Sequence, residues 1–264
     1  MQDLTVTVVQ SELVWEDPAA NLELFGRQLS GLTGKTDLVV LPEMFSTGFS
    51  MNPEPLARTM DSADVRWLQE TAAAVGAHLV GSLMIVAGGC YYNRLMWASP
   101  SGELYTCDKR HLFRMLGEEA VYTGGQTLLT VTVRGWKIRP FVCYDLRFPA
   151  WSRNLGNAYD VSIFVANWPA KRAEHWKALL KARAIENLSY VIGVNRVGTD
   201  GNGLTYSGDS TVIDPVGNTL FTIHNEPALR TATLSREILE NWRRDFPAWR
   251  DADHEILSLP DTDA

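Results

Sequence analysis

The chain has 264 residues, 45% hydrophobic and 21% charged, with a formal net charge of −7. That length supports a large core without disulfide staples, and the acidic balance speaks against broad binding to nucleic acid or anionic membranes. Cys90, Cys107 and Cys143 form no CxxC pair and are odd in number, so no disulfide framework is expected.

Leu4–Gln10 alternates like a strand. The residues before it lack the basic start and apolar run of a signal peptide. No apolar stretch reaches the roughly 18 residues of a membrane span, and cytoplasmic residence is expected. Asp17 then looks like an N-cap, with Pro18 at the first helical position. Leu22, Phe25 and Leu29 follow at helical spacing, and Gly31 and Gly34 stop the helix. Asp37–Leu41 is a short buried strand. Asp61-Ser62-Ala63-Asp64 opens a second helix through Val65, Leu68, Ala72 and Val75, ended by Gly76.

Strands are expected next over His78–Val86, Tyr92–Ala98 and Glu103–Cys107, the last two as a hairpin around Ser99-Pro100-Ser101-Gly102. Leu128–Val133 and Trp136–Val142 flank an Arg134-Gly135 turn, and Asp160–Ala166 is a buried-type strand. Ala173–Asn187 has the spacing of a long helix, with Trp176, Leu179, Leu180 and Ala184 on one side. Its end holds Asn187-Leu188-Ser189, a glycosylation sequon by chance. Later strands are Tyr190–Arg196, Asp209–Asp214 and Thr219–Ile223, the last two joined by a turn at Asp214–Asn218. Gly201-Asn202-Gly203 is a loop, expected near the pocket mouth or a subunit interface. Ser235–Trp249 reads as a helical tail, ended by Pro247. With no low-complexity run or Gly/Ser linker, residues 1–264 read as one layered α/β domain.

Three reactive side chains follow strands: Glu43 after Asp37–Leu41, Lys109 after Leu104–Cys107, and Cys143 after Ile138–Val142. Strand ends are where α/β proteins gather active sites. Taken singly, each has an ordinary reading. An apolar-flanked cysteine is more often inert core, a glutamate after proline a solvated turn residue, a lysine between Asp108 and Arg110 part of a charged surface. No metal site is expected, since His254-Glu255 lacks the second histidine of HExxH; position 258 is serine.

Leu41-Pro42-Glu43-Met44-Phe45, Tyr105–Phe113 around Lys109, and Pro140–Pro149 around Cys143 resemble the three motifs of the nitrilase superfamily, in the same order. Lys109–Met115, Val165-Ala166-Asn167-Trp168-Pro169, His175-Trp176, Arg183–Asn187, Asn195–Gly198 and Phe246–Trp249 bring it nearest to the bacterial omega-amidase group. The resemblance implies a four-layer α-β-β-α sandwich, a homodimer stacked through helix layers, and no cofactor. It implies a Cys143 nucleophile, Glu43 as general base, and Lys109 with the Tyr144 N–H as oxyanion donors. Glu118 matches the family's second glutamate, with Glu119 adjacent as the alternative. The substrates implied are 2-oxoglutaramate and 2-oxosuccinamate, cleaved to a dicarboxylate and ammonia.

Such substrates need a cation for the distal carboxylate. Arg147, Arg114, Lys171, Arg172 and Arg196 are candidates, with Asn167 and Trp168 as pocket walls; Arg147 reads equally as a buried partner of Asp145. A carbamoylase, nitrilase or other aliphatic amidase would use the same three residues. A non-enzymatic binder would instead arrange Tyr144, Phe148, Trp151 and Trp168 as an aromatic cage. The Trp242, Phe246 and Trp249 tail reads as core packing or as a dimer contact.

Overall fold

The computed structural model describes residues 2–252, so the His254-Glu255 pair lies outside the described residues. The strands are β1 (Leu4–Gln10), β2 (Leu38–Val40), β3 (His78–Ala87), β4 (Cys90–Ala98), β5 (Leu104–Asp108), β6 (Val131–Val133) and β7 (Trp136–Val142). Then come β8 (Val161–Ala166), β9 (Tyr190–Asn195), β10 (Val197–Thr199), β11 (Thr205–Ile213), β12 (Thr219–His224) and β13 (Ala228–Leu234). The helices are α1 (Pro18–Leu29), α2 (Pro53–Leu56), α3 (Ala63–Val75), α4 (Glu118–Val121), α5 (Pro149–Ser152), α6 (Ala173–Asn187) and α7 (Arg236–Asp245).

Local chemistry sets the helix ends. The Asp17 carboxylate accepts from Ala20 N at 3.0 Å, and Pro18 begins α1. Ser62 caps α3, and Gly76 ends it at φ 72°, a left-handed cap that glycine adopts without strain. The tail helix stops at Asp245, short of the expected Trp249. Phe246 precedes Pro247 and takes an extended φ of −131°, because the proline ring crowds a helical residue before it.

One sheet runs β13-β1-β2-β3-β4-β5, the other β10-β11-β9-β8-β7-β6 with β12 paired to β11. β1, β2 and β3 are parallel neighbours, as are β7, β8 and β9. Leu4, Val6, Val8, Val40 and Trp97 meet Trp136, Ile138, Val142, Ile163 and Ile192 in a core between the sheets. The opposite face of the first sheet packs Val39, Leu41 and Leu79 under Phe25 and Leu29 of α1 and Val65 and Leu68 of α3. The outer face of the second packs Phe141, Phe164 and Val191 under Trp176, Leu180 and Ala184 of α6. The layers are therefore α-β-β-α. Both faces of the central strands are covered, which explains their continuous apolar runs.

Two strands escaped the sequence reading. β13 pairs antiparallel with β1 along its whole length, from Leu4↔Leu234 to Gln10↔Ala228. It is an edge strand whose Arg230, Thr231 and Thr233 are exposed, so it carries little apolar signal. β10 spans only Val197–Thr199. Conversely, Leu128–Thr130 lie outside β6, whose register with β7 begins at Val131↔Ile138.

Candidate active site

β2 and β5 run in one direction within the first sheet, because β4 is antiparallel to both β3 and β5. Their C-terminal ends bring Glu43 and Lys109 to the same edge. The Lys109 Nζ donates to Glu43 Oε1 at 3.0 Å and to Glu118 Oε1 and Oε2 at 3.0 and 2.9 Å. All three side chains are at most 1% exposed. Glu118 lies on α4 and also accepts from the Phe113 N–H at 2.5 Å, whereas Glu119 points to solvent.

Residues not anticipated from sequence lock these charges. Asn93 of β4 donates to Glu43 Oε1 at 2.7 Å and accepts from Ser82 Oγ at 2.8 Å. Ser82 Oγ in turn accepts from Met44 N at 2.8 Å. The available signal was a serine inside the apolar run of β3 and an asparagine inside β4. Gly125 N donates to Lys109 O at 2.8 Å. A Cβ there would stand 2.2 Å from Asp108 O, so only glycine fits against this backbone.

Cys143 directly follows β7, and Asn167 directly follows its parallel neighbour β8, with Val142 in register with Val165. Asn167 N donates to Glu43 Oε2 at 2.8 Å, and its Nδ2 to Glu43 O at 2.7 Å, joining the two sheets. Cys143 Sγ lies 4.0 Å from Asn167 O. Cys143 has φ +43° and Met44, beside Glu43, φ +42°, left-handed values that non-glycine residues rarely adopt. Such strain concentrates at functional sites. Asp145 ties this elbow to the lysine segment. Its Oδ2 accepts from Val142 N at 3.1 Å, and its Oδ1 accepts from His111 N at 2.9 Å and pairs with His111 Nδ1 at 2.8 Å.

Burial pushes the Cys143 thiol well above its ordinary range; the Glu43 charge and a hydrogen bond to it add to this, and Lys109 offsets it only in part. Burial also disfavours the Lys109 ammonium, but the Glu118 and Glu43 carboxylates outweigh it and hold the pKa above the usual lysine value. Glu118 is raised, first by burial, against the pull of Lys109. Lys109 is thus favoured in its charged form beside a thiol whose ionisation burial and Glu43 oppose.

A pocket opens over Cys143, Lys109 and Asn167, walled by Phe49, Phe113, Tyr144, Trp168, Leu204 and Tyr206. Of the five candidate cations, Arg147 and Arg172 border it. The Arg147 guanidinium lies 4.7 Å from the Trp168 ring and that of Arg172 5.2 Å from the Phe113 ring. Among the described residues, no carboxylate is within ion-pair distance of either; Arg147 is not the partner of Asp145. Arg196 is fully buried and outside the pocket lining; its Nε and Nη2 donate to the carbonyls of Leu13, Val197 and Thr199. Arg114 and Lys171 are exposed away from the cavity.

The four aromatic residues do not form a cage. Tyr144 and Trp168 face the pocket, but Phe148 stacks on His111 at 3.7 Å and Trp151 packs edge-on to the same imidazole. The glycine loop lies at the mouth. Asn202 and Leu204 border a wider basin with Trp15, Phe49 and Leu116, and Leu204 reaches the pocket itself. Phe49, Tyr206 and Leu204 had no local signal, being ordinary apolar or aromatic residues in sequence.

The carbon–nitrogen hydrolase family profile matches residues 5–244. The chain is 49% identical to Omega-amidase YafV of Escherichia coli (strain K12), over 96% of this chain and 98% of that protein. It is 30% identical to a 2-oxoglutaramate amidase of Bacillus subtilis (strain 168), covering 94% of this chain and 96% of that one. A solved CN-hydrolase superfamily protein from Xanthomonas campestris, with an arsenic adduct in its active site, superposes with TM-score 0.94. It is 45% identical, covering 96% of this chain and 98% of that one.

Proposed function

Because the chain belongs to the carbon–nitrogen hydrolase family and is a hydrolase of carbon–nitrogen bonds, we propose that it cleaves the terminal amide of a small 2-oxo acid amide. Substrates of the 2-oxoglutaramate or 2-oxosuccinamate type would give the dicarboxylate and ammonia. The observation that carries this substrate class is the pair of guanidiniums, Arg147 and Arg172, that border the pocket of Cys143 with no carboxylate within ion-pair distance among the described residues. They suit a distal carboxylate, which planar guanidinium forks bind well. The similarity to proteins described as omega-amidase and 2-oxoglutaramate amidase supports the same reading.

In this mechanism the neutral Cys143 thiol passes its proton to Glu43 as the sulfur attacks the amide carbon. The oxyanion is held by the Lys109 ammonium and the Tyr144 N–H; one such donor is worth roughly 3–4 kcal/mol. Glu43 then gives the proton to the departing nitrogen, releasing ammonia and leaving a thioester. Water attacks the thioester, again losing its proton to Glu43, which returns it to the leaving sulfur. Glu118 keeps Lys109 charged and in place, and Asn167 and Trp168 wall the bound acyl group. No cofactor enters. The same reading takes residues 1–264 as one hydrolase domain, acting in the cytoplasm as a homodimer on small molecules, without nucleic-acid or membrane partners.

The test is ammonia release from 2-oxoglutaramate and from 2-oxosuccinamate by the wild type and by Cys143→Ala. The wild type is expected to turn over, and the variant to lose at least about 10⁴-fold, since a covalent nucleophile has no substitute. Ammonia release retained in the variant would refute the thioester route. A wild type inert on both 2-oxo acid amides would refute the substrate class.

A further inference from the structure

We infer that His175 is a positioning residue for substrate recognition, holding the Arg147 guanidinium at the pocket wall. The inference rests on the reading above, in which Arg147 receives the substrate carboxylate. Arg147 donates one terminal N–H to His175 Nδ1 at 3.0 Å. A guanidinium can only donate, so Nδ1 must accept; the imidazole is then neutral with its hydrogen on Nε2. The Trp168 ring also faces the guanidinium, at 4.7 Å. Ring and imidazole together set the plane and the rotation of the fork, leaving other N–H groups unpaired by any carboxylate among the described residues.

Without that hold the side chain would have reason to leave. Arg147 has a long stem with many rotamers, and Arg172 borders the same pocket with like charge. Burial first, and then Arg172, disfavour its charged form. A carboxylate ligand relieves the repulsion only if the fork is already aimed, so anchoring spares the substrate the cost of ordering it.

His175 itself is exposed and does not line the pocket, so it acts through Arg147. It stands in the first turn of α6, immediately before the fully buried Trp176. Trp168 Nε1 donates to Arg172 O at 2.8 Å, closing the short turn between β8 and α6. The helix that carries the anchor is thus fastened to the wall that carries the ring.

The experiment measures kcat and KM for 2-oxoglutaramate in His175→Ala, His175→Asn and Arg147→Ala. The asparagine carbonyl oxygen can accept where Nδ1 does. The expected result is a roughly tenfold rise in KM for His175→Ala with kcat within about twofold, as for loss of uniform binding. His175→Asn should return KM to within about threefold of the wild type. Loss of kcat in place of KM, or an asparagine variant no better than alanine, overturns the role of His175. If Arg147→Ala leaves KM unchanged, the carboxylate-binding reading of Arg147 falls and takes this inference with it. If Arg147→Ala raises KM and His175→Ala does not, only the inference falls.

Discussion

In the mechanism proposed above, Cys143 gives up its proton as it attacks rather than beforehand. Burial and the Glu43 carboxylate hold its thiol well above the ordinary range, and Lys109 does not compensate. Only the thiolate reacts with an alkylating reagent. The sign follows: below the raised pKa the reactive fraction grows about tenfold per pH unit, and it levels only above that pKa. Iodoacetamide labelling of Cys143, followed by mass spectrometry of its peptide, should therefore still be rising above pH 9. A plateau below pH 8 would mean a resting thiolate and would remove the proton-transfer step to Glu43. The same spectra separate Cys143 from Cys107, whose thiol is pushed up to about 12 by burial, and from exposed Cys90.

Among elements, the end of β5 is closely built against backbone. Lys109 O accepts from Gly125 N, and the loop backbone presses so near Asp108 that a methyl group would meet its carbonyl oxygen at 2.2 Å. Neither side of that contact is a flexible side chain. Gly125→Ala should cost roughly 2–3 kcal/mol of stability, within the range for overpacking. It should also lower ammonia release by moving Lys109 relative to Glu43. Urea unfolding and a rate assay check both; an unchanged midpoint with unchanged turnover would contradict the backbone contact. Asp145 does a comparable job for β7, binding the Val142 and His111 N–H groups with one carboxylate, so the cysteine elbow and the lysine segment keep a common frame.

For the whole molecule, each helix layer covers the outer face of one sheet. On α6, Ile185 is 49% exposed, and beside it the turn at Gly217 presents Val216, 39% exposed. The homodimer proposed above would bury them. Sedimentation equilibrium should return twice the protomer mass for the wild type, and Ile185→Asp should shift the protein toward the protomer. A wild type sedimenting as a single protomer would exclude the dimer. The Trp242 and Phe246 rings, by contrast, pack on each other at 5.3 Å, which answers part of the tail's apolar character within the chain.

What the sequence by itself determined is local. Periodicity, caps and turns located nearly all of the buried strands and the long helices, and placed Glu43, Lys109 and Cys143 at strand ends. Tertiary structure decided whatever depends on convergence. Glu118 rather than Glu119 meets Lys109 because only one of two adjacent carboxylates turns inward from α4. Arg147 and Arg172 border the pocket, while Arg196 lies buried outside its lining with Nε and Nη2 on backbone carbonyls. Asn93 reaches Glu43 from β4, whose register with β3 sets it beside Met84, and Asn167 reaches Glu43 from the end of β8 across the face of the two sheets. Side-chain spacing of two or 3.6 residues is a short-range signal. Which distant strands become neighbours, and at what register, is set by packing the whole core.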